Sequence, residues 1–381
     1  MLLSISGFKP GSNSKSVFKR SVPDGSWKRI LITGIIIFLL VFGGLELFWR
    51  VNGHLPSVVD DYDLWSYYRH RVYDNGVKTV VLLGASRIQL DISTGMLKKI
   101  FPDYLIIQLA VDGRQPIAVL KDLANDKCFK GIVICSMFAG WVGKENLYSQ
   151  QDYVKYYHEN SNPFKRLNRL IMSYVQEYFV IVDPYLQLKR ILLKYKESGK
   201  LPGPRYLITK RDRSRMADYS LINVSEQQKY RIKRIGELYK KNPPMAPKEW
   251  LKHAAKIGRY VKRITERGGK VVFIRLPSTG KHWELDNKFY PKKEYWDKIA
   301  SVTGACTIHF QDISGMKQLV CPDTSHLDYR QAPLFTRVMA EEFLKQHIIA
   351  VPTKSAPRFP AAKPRGIGAP RIGAPSRKAT S

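Results

Sequence analysis

Five short apolar runs constrain the fold of this 381-residue chain more than any other feature. Residues 80–83, 105–109, 132–135 and 271–276 are apolar on both faces, and 307–312 form a weaker fifth run. A half-exposed strand alternates between apolar and polar residues. A strand apolar at every position is covered on both sides, as in a parallel sheet between helical layers. Helical periodicity fills the gaps at 94–101, at 116–126 and in a long stretch up to 267. Gly268-Gly269 then stops the helix just before Lys270. The expected architecture is α/β: a three-layer, flavodoxin-like, parallel five-stranded sheet.

Residues 140–250 interrupt that pattern between the third and fourth runs. This segment is dense in Tyr, Lys and Arg, with apolar residues at helical spacing. Such spacing reads as packing, or as a surface that docks on polymer or membrane. Ser225, with Gln228 three residues later, is the expected cap of a helix through KYRIKRIGELYKK.

Residues 32–49, ITGIIIFLLVFGGLELFW, carry one charge, Glu46. About 20 apolar residues cross a bilayer, so one pass is expected. No small-residue cleavage site is evident, which favours an uncleaved anchor over 30–50. Lys9, Lys15, Lys19, Arg20, Lys28 and Arg29 precede it, against Asp24. Asp60, Asp61 and Asp63 follow it. The positive-inside rule places 1–29 in the cytoplasm and 51–351 outside it, at an inner membrane facing the periplasm or cell surface.

The formal net charge is +31. Part of it lies in the tail 352–381, with Lys354, Arg358, Lys363, Arg365, Arg371, Arg377 and Lys378 and no acidic residue. That tail repeats IGAP, is rich in Pro and Gly, and is expected to be disordered. A basic extracytoplasmic body favours lipid headgroups or anionic glycan over nucleic acid. Cys128, Cys135, Cys306 and Cys321 fit either two disulfides or free thiols, and contain no C-x-x-C zinc pair. No metal cluster and no Gly-rich phosphate loop is present, so no cofactor is expected.

Two segments carry chemistry. Gly84-Ala85-Ser86 ends the first apolar run. Asp323-Thr324-Ser325-His326 precedes the last amphipathic stretch. Serine, imidazole and carboxylate are a nucleophile, its base and the group that orients the base. Position 88 is Ile, so the G-x-S-x-G elbow of α/β-hydrolases is absent. In the bland reading, Asp323 and Ser325 cap the following helix. Arg87 and Arg275 fall at the same expected sheet end. They suit an acidic sugar or an oxyanion, or structural partners at Asp91 or Asp312.

In these segments the chain resembles the SGNH, or GDSL-like, hydrolase superfamily, over residues 78–346. Gly84-Ala85-Ser86-Arg87 matches its first block with Ala for Asp, Gly113 in QLAVDGRQP its second, and Asp323-x-x-His326 its last. The usual third-block Asn is missing from the strand end in GIVICSMFAGWVGKEN, where Ser136 stands as a substitute donor and Asn146 lies further on. The resemblance implies a Ser86 acyl-enzyme, His326 as base then acid, and Asp323 as orienter. The Ser86 and Gly113 amides and Ser136 would bind the oxyanion. It further implies an anchored protein that acylates or deacylates cell-surface polysaccharide, as O-acetyltransferase or esterase. A membrane-bound acyl donor protein would be its partner if it transfers. The other reading is a non-catalytic glycan-binding or assembly component of an export complex.

Overall fold

The computed structural model describes residues 25–73 and 78–350. The expectations for most of the basic N-terminal segment and for the 352–381 tail lie outside these residues.

The described chain begins with a long apolar helix, α1 (Trp27–Val51), followed by α2 (Tyr62–His70). The alternating part then runs β1 (Lys78–Leu83), α3 (Ser86–Asp91), α4 (Thr94–Ile100), β2 (Tyr104–Gln108), α5 (Ile117–Asn125) and β3 (Ile132–Ser136). The insertion holds α6 (Gln151–Glu159), α7 (Pro163–Tyr178), α8 (Leu188–Ser198), an antiparallel hairpin of β4 (Leu207–Thr209) and β5 (Arg215–Ala217), and α9 (Val224–Lys241). The chain rejoins the sheet through α10 (Pro247–Thr265), β6 (Lys270–Arg275), α11 (Gly280–Phe289), α12 (Ile299–Thr303) and β7 (Cys306–His309). It closes with α13 (Ser314–Lys317) and α14 (Ala332–Lys345).

The five long strands form one parallel sheet in the order β2-β1-β3-β6-β7. Every predicted apolar run is one of its strands. The fifth ends early, because residues 310–312 tighten into a 3₁₀ turn. Alternate residues feed two cores. Val81, Leu83, Ile107, Val133 and Phe273 meet Trp65, Leu120, Leu123, Trp250 and Val261. Val80, Leu82, Ile134, Ile274 and Ile308 meet Ile88, Leu97, Phe335, Met339 and Phe343 on the opposite face. Each such fully buried side chain contributes about 1.5–3 kcal/mol, so two covered faces fix the strands' register and their carboxyl ends.

The insertion is tied to the sheet by a fully buried cation. Arg213 donates to Asp60 at 2.6 and 3.0 Å, to the carbonyl of Gln108 at the end of β2, and to that of Ala110 just past it. A buried guanidinium persists only with its donors met, and here both a carboxylate and carbonyls meet them.

Two local expectations change. Asn223, not Ser225, caps α9, accepting from the Glu226 amide at 3.3 Å; Ser225 lies inside the helix. All four cysteines are free thiols, Cys135 and Cys321 buried, Cys128 and Cys306 exposed.

Candidate active site

The carboxyl ends of parallel strands are where open α/β sheets present side chains to a crevice. Here β1 leads to Ser86, the loop after β2 to Gly113, β3 ends in Ser136 and β6 in Arg275. The loop after α13 brings Asp323 and His326 to the same edge. Ser86, Gly113, Ser136, Arg87, Arg275 and His326 all line one cleft of about 510 Å³, and Asp323 lies buried behind His326.

Ser86 is the first residue of α3, after a Gly84 that nothing larger can replace. A Cβ at Gly84 would come within 2.8 Å of the Ser136 Cβ and 2.9 Å of Ile88. Its φ of 153° is also unfavourable for other residues. The absence of a side chain lets the β1 and β3 ends close up, bringing Ser136 beside the Ser86 turn. Buried Gln150 braces this turn, donating to the Gly84 carbonyl at 2.8 Å and to that of Arg114 at 3.2 Å. One amide thereby links the Ser86 and Gly113 loops. Gly113 has φ 69°, and its amide donates to no other group among the described residues.

The three predicted side chains form one hydrogen-bonded line. Ser86 Oγ lies 2.8 Å from His326 Nε2, and His326 Nδ1 lies 2.9 Å from Asp323 Oδ2. The other carboxylate oxygen of Asp323 accepts the Ser325 and His326 amides at 2.9 and 2.7 Å. Asp323 therefore shapes its own turn around Thr324, which has φ 71°. It does not cap α14, which starts at Ala332 with no side-chain cap.

The insertion supplies partners that the motif does not contain. Arg231 of α9 brings its Nε to 2.6 Å from Asp323 Oδ2, as a charge contact with the N–H not aimed along it. Burial and the nearby Asp323 carboxylate hold the Tyr219 hydroxyl well above the ordinary phenol range. Gln228 donates to the Pro322 carbonyl at 2.7 Å, fastening α9 onto the loop. Burial alone would raise the Asp323 pKa, but His326, Arg231 and the Ser325 amide hold it well below the ordinary carboxylate range. For His326, burial lowers the pKa and outweighs the raising effect of Asp323. The imidazole is neutral at pH 7 with a free lone pair facing Ser86, the state a general base requires.

Arg87 and Arg275 line the cleft but are engaged elsewhere. Arg87 donates to the Ser325 carbonyl at 3.2 Å and to His282 at 2.9 Å. Arg275 is paired with buried Asp286, and donates to the Leu276 carbonyl at 3.1 Å and Ser278 at 3.3 Å. Neither meets Asp91 or Asp312. Asp312 pairs with Lys292 at 3.0 Å, and Asp91 accepts the Leu327 amide at 2.9 Å. Asp286 also accepts Tyr239 of α9 at 2.6 Å. Burial brings His282 down to about 3, so it remains a neutral acceptor for Arg87.

Arg231, Tyr219, Gln150 and Tyr239 escaped sequence reasoning. Each comes from the insertion and reaches the site through tertiary packing alone, and no motif or spacing marks them.

No family model matches the chain, and no curated protein matches it. Among solved structures, that of TesA aligns with 70% of this chain and 99% of its own, at 11% identity and a TM-score of 0.33. So distant a likeness leaves the chemistry to rest on the geometry of the cleft itself.

Proposed function

We propose that this protein carries out serine-dependent acyl ester chemistry, on an acylated or acyl-accepting glycan outside the cytoplasm. The observation that carries this reading is the line Ser86–His326–Asp323 at the cleft wall, with both hydrogen bonds under 3 Å.

Ser86 Oγ attacks the ester carbonyl while its proton passes to His326 Nε2. Asp323 holds the ring by Nδ1 and balances the imidazolium that forms. The Ser86 and Gly113 amides, joined by the Ser136 hydroxyl, receive the oxyanion. One such donor is worth about 2.7–4 kcal/mol of barrier. His326 returns the proton to the departing oxygen, leaving an acyl-Ser86 ester. Water then completes hydrolysis, or a sugar hydroxyl completes transfer. The basic α9 wall, with Arg234 and Lys241 on the cleft, suits a glycan bearing negative charge. Arg87 and Arg275, both already bonded, are positioning residues here and not ligands of the sugar.

We assign α1 as a single-pass anchor with its N-terminal end in the cytoplasm. Its 25 residues are long and apolar enough to cross a membrane, and its most apolar window has no buried residue.

The test is turnover of p-nitrophenyl acetate and of an acetylated anionic glycan. Ser86→Ala and His326→Ala each lower turnover by roughly four orders of magnitude with unchanged melting. A serine-directed phosphonate labels Ser86 in the native protein and not in His326→Ala. A native protein that neither labels nor turns over either ester, yet binds glycan, is an assembly component, and the enzymatic reading fails.

A further inference from the structure

Helix α7 is turned inside out. Arg169, Ser173 and Gln176 are its buried residues. Arg169 lies 2.9 Å from Asp61 and donates to Gln176 and to the Val59 carbonyl. Gln176 in turn accepts the Val59 amide at 3.1 Å. The opposite face carries Phe164, Leu167, Ile171 and Tyr178 at one helical spacing, and all four are exposed, Phe164 by 83%. Helix α8 has no buried residue, and Leu188, Leu192 and Tyr195 form a second exposed stripe at spacings of four and three. Lys189, Lys194 and Lys196 alternate with that stripe. Water does not favour two adjacent apolar stripes, and polar residues packed inward show that another medium is expected outside.

The end of α7 and helix α8 both reach the distal half of α1. Phe179, just past α7, meets Phe42 edge-on at 5.3 Å. Glu46 accepts the Val180 and Ile181 amides at 3.0 and 2.9 Å, and Arg50 donates to the Tyr178 carbonyl at 2.5 Å. Trp49 packs with Val180 and Leu186, against Ile191 of α8. From Arg29 to Glu46 the helix rises about 26 Å, close to the ~30 Å apolar thickness of a bilayer. The contacts at Glu46 and Arg50 therefore fall at the outer boundary, which is where α7 and α8 leave α1.

We propose that α7 and α8 form a platform embedded in the outer interface of the membrane that α1 crosses, with a preference for anionic lipid. The proposal rests on the anchor reading of α1. The apolar stripes enter the acyl boundary, and the α8 lysines reach phosphate headgroups, as in an interfacial amphipathic helix. The platform seats the domain directly on its membrane.

The full chain, with its exposed thiols removed by Cys128→Ser and Cys306→Ser, is given one cysteine at a time: Leu40→Cys, Leu167→Cys, Leu192→Cys or Lys256→Cys. Each carries an environment-sensitive fluorophore in vesicles of phosphatidylcholine with or without phosphatidylglycerol. The expected result is quenching by brominated acyl chains at 40, 167 and 192, and by aqueous iodide at 256. Lys189→Glu with Lys194→Glu lowers lipid quenching at 192 in the anionic vesicles. Labels at 167 and 192 that iodide reaches as freely as 256, while 40 reads lipid, overturn the platform and leave the anchor standing. Labels shielded from both quenchers assign the stripes to a protein partner and also overturn it. A label at 40 outside lipid overturns the anchor reading, and the platform with it.

Discussion

Helices α5 and α7 are both amphipathic, and they face opposite ways. Helix α5 buries Ile117, Val119, Leu120 and Leu123 in the core beneath the sheet, pairs Asp122 with Arg69, and exposes Lys121 and Asn125. Helix α7 buries Arg169, Ser173 and Gln176 and presents Phe164, Leu167 and Ile171 outward. Periodicity in a sequence establishes that a stripe exists. It does not say which side of the stripe meets protein. That is decided by what competes for the helix: a sheet face lined with Val and Ile for α5, and the polar Val59–Asp61 segment for α7.

The comparison breaks most easily on stability. In mild detergent, Leu120→Ala in α5 costs about 2–5 kcal/mol, because it leaves a cavity in a packed core. Ile171→Ala in α7 changes stability by less than about 0.5 kcal/mol, as an exposed truncation should. Urea unfolding of the two variants side by side tests this. A loss at Ile171 as large as at Leu120 would mean that α7 packs its apolar face against protein, and the contrast would collapse.

A smaller effect separates the buried site from the exposed surface by pH. Burial brings His282 down to about 3 and His309 to about 2, whereas in the unfolded chain they titrate near 6.5. Below pH 6.5 the unfolded state binds protons that the folded state refuses, so stability falls as the pH drops. The slope reaches about 1.4 kcal/mol per pH unit for each imidazole. Unfolding at pH 7, 6 and 5 measures it, and His282→Asn removes one proton's share of the slope. An unchanged slope in that variant would place His282 in contact with solvent.

The smallest effect concerns the seam between sheet and insertion. Burial lowers the His326 pKa, and the Arg231 charge adds to that lowering. Arg231→Gln therefore moves the acid limb of the pH–rate profile upward, with little change in melting temperature. A profile that keeps its limb while losing amplitude would make Arg231 a purely structural contact.

Much of the sheet and of the hydrogen-bonded line Ser86–His326–Asp323 was legible in the sequence. The strands were visible because a sheet covered on both faces needs unbroken apolar runs, and residues 80–83 and 271–274 have no other use for them. Ser86, Asp323 and His326 were visible because their spacing is local: a turn after a strand, and a carboxylate three residues before an imidazole. What surrounds them was not. The partners of Arg87 and Arg275 are fixed by the fold of α11, which brings His282 and Asp286 to the β6 end. Arg231 and Tyr219 reach Asp323 only because Arg213 and Gln228 fasten the insertion down. The cap of α9 was misplaced because Ser225 and Asn223 both present the right chemistry, and only the backbone decides between them.

The register of the sheet has a kinetic consequence. Strand β3 pairs with β6, Ile132 opposite Lys270, with the whole insertion between them in the chain. Entropy of closing a long loop grows only slowly with its length, so the insertion adds little to the equilibrium cost of the sheet. The order of assembly is another matter. Strands β1, β2 and β3 emerge together, and until the β6 segment arrives the apolar edge of β3 stands unpaired, open to strands of other chains. The wait ends only when more than a hundred intervening residues have been made, so assembly is slow and sensitive to crowding by like chains. Refolding yield should therefore fall with protein concentration, and a separately supplied β6–α11 segment would compete for the same edge.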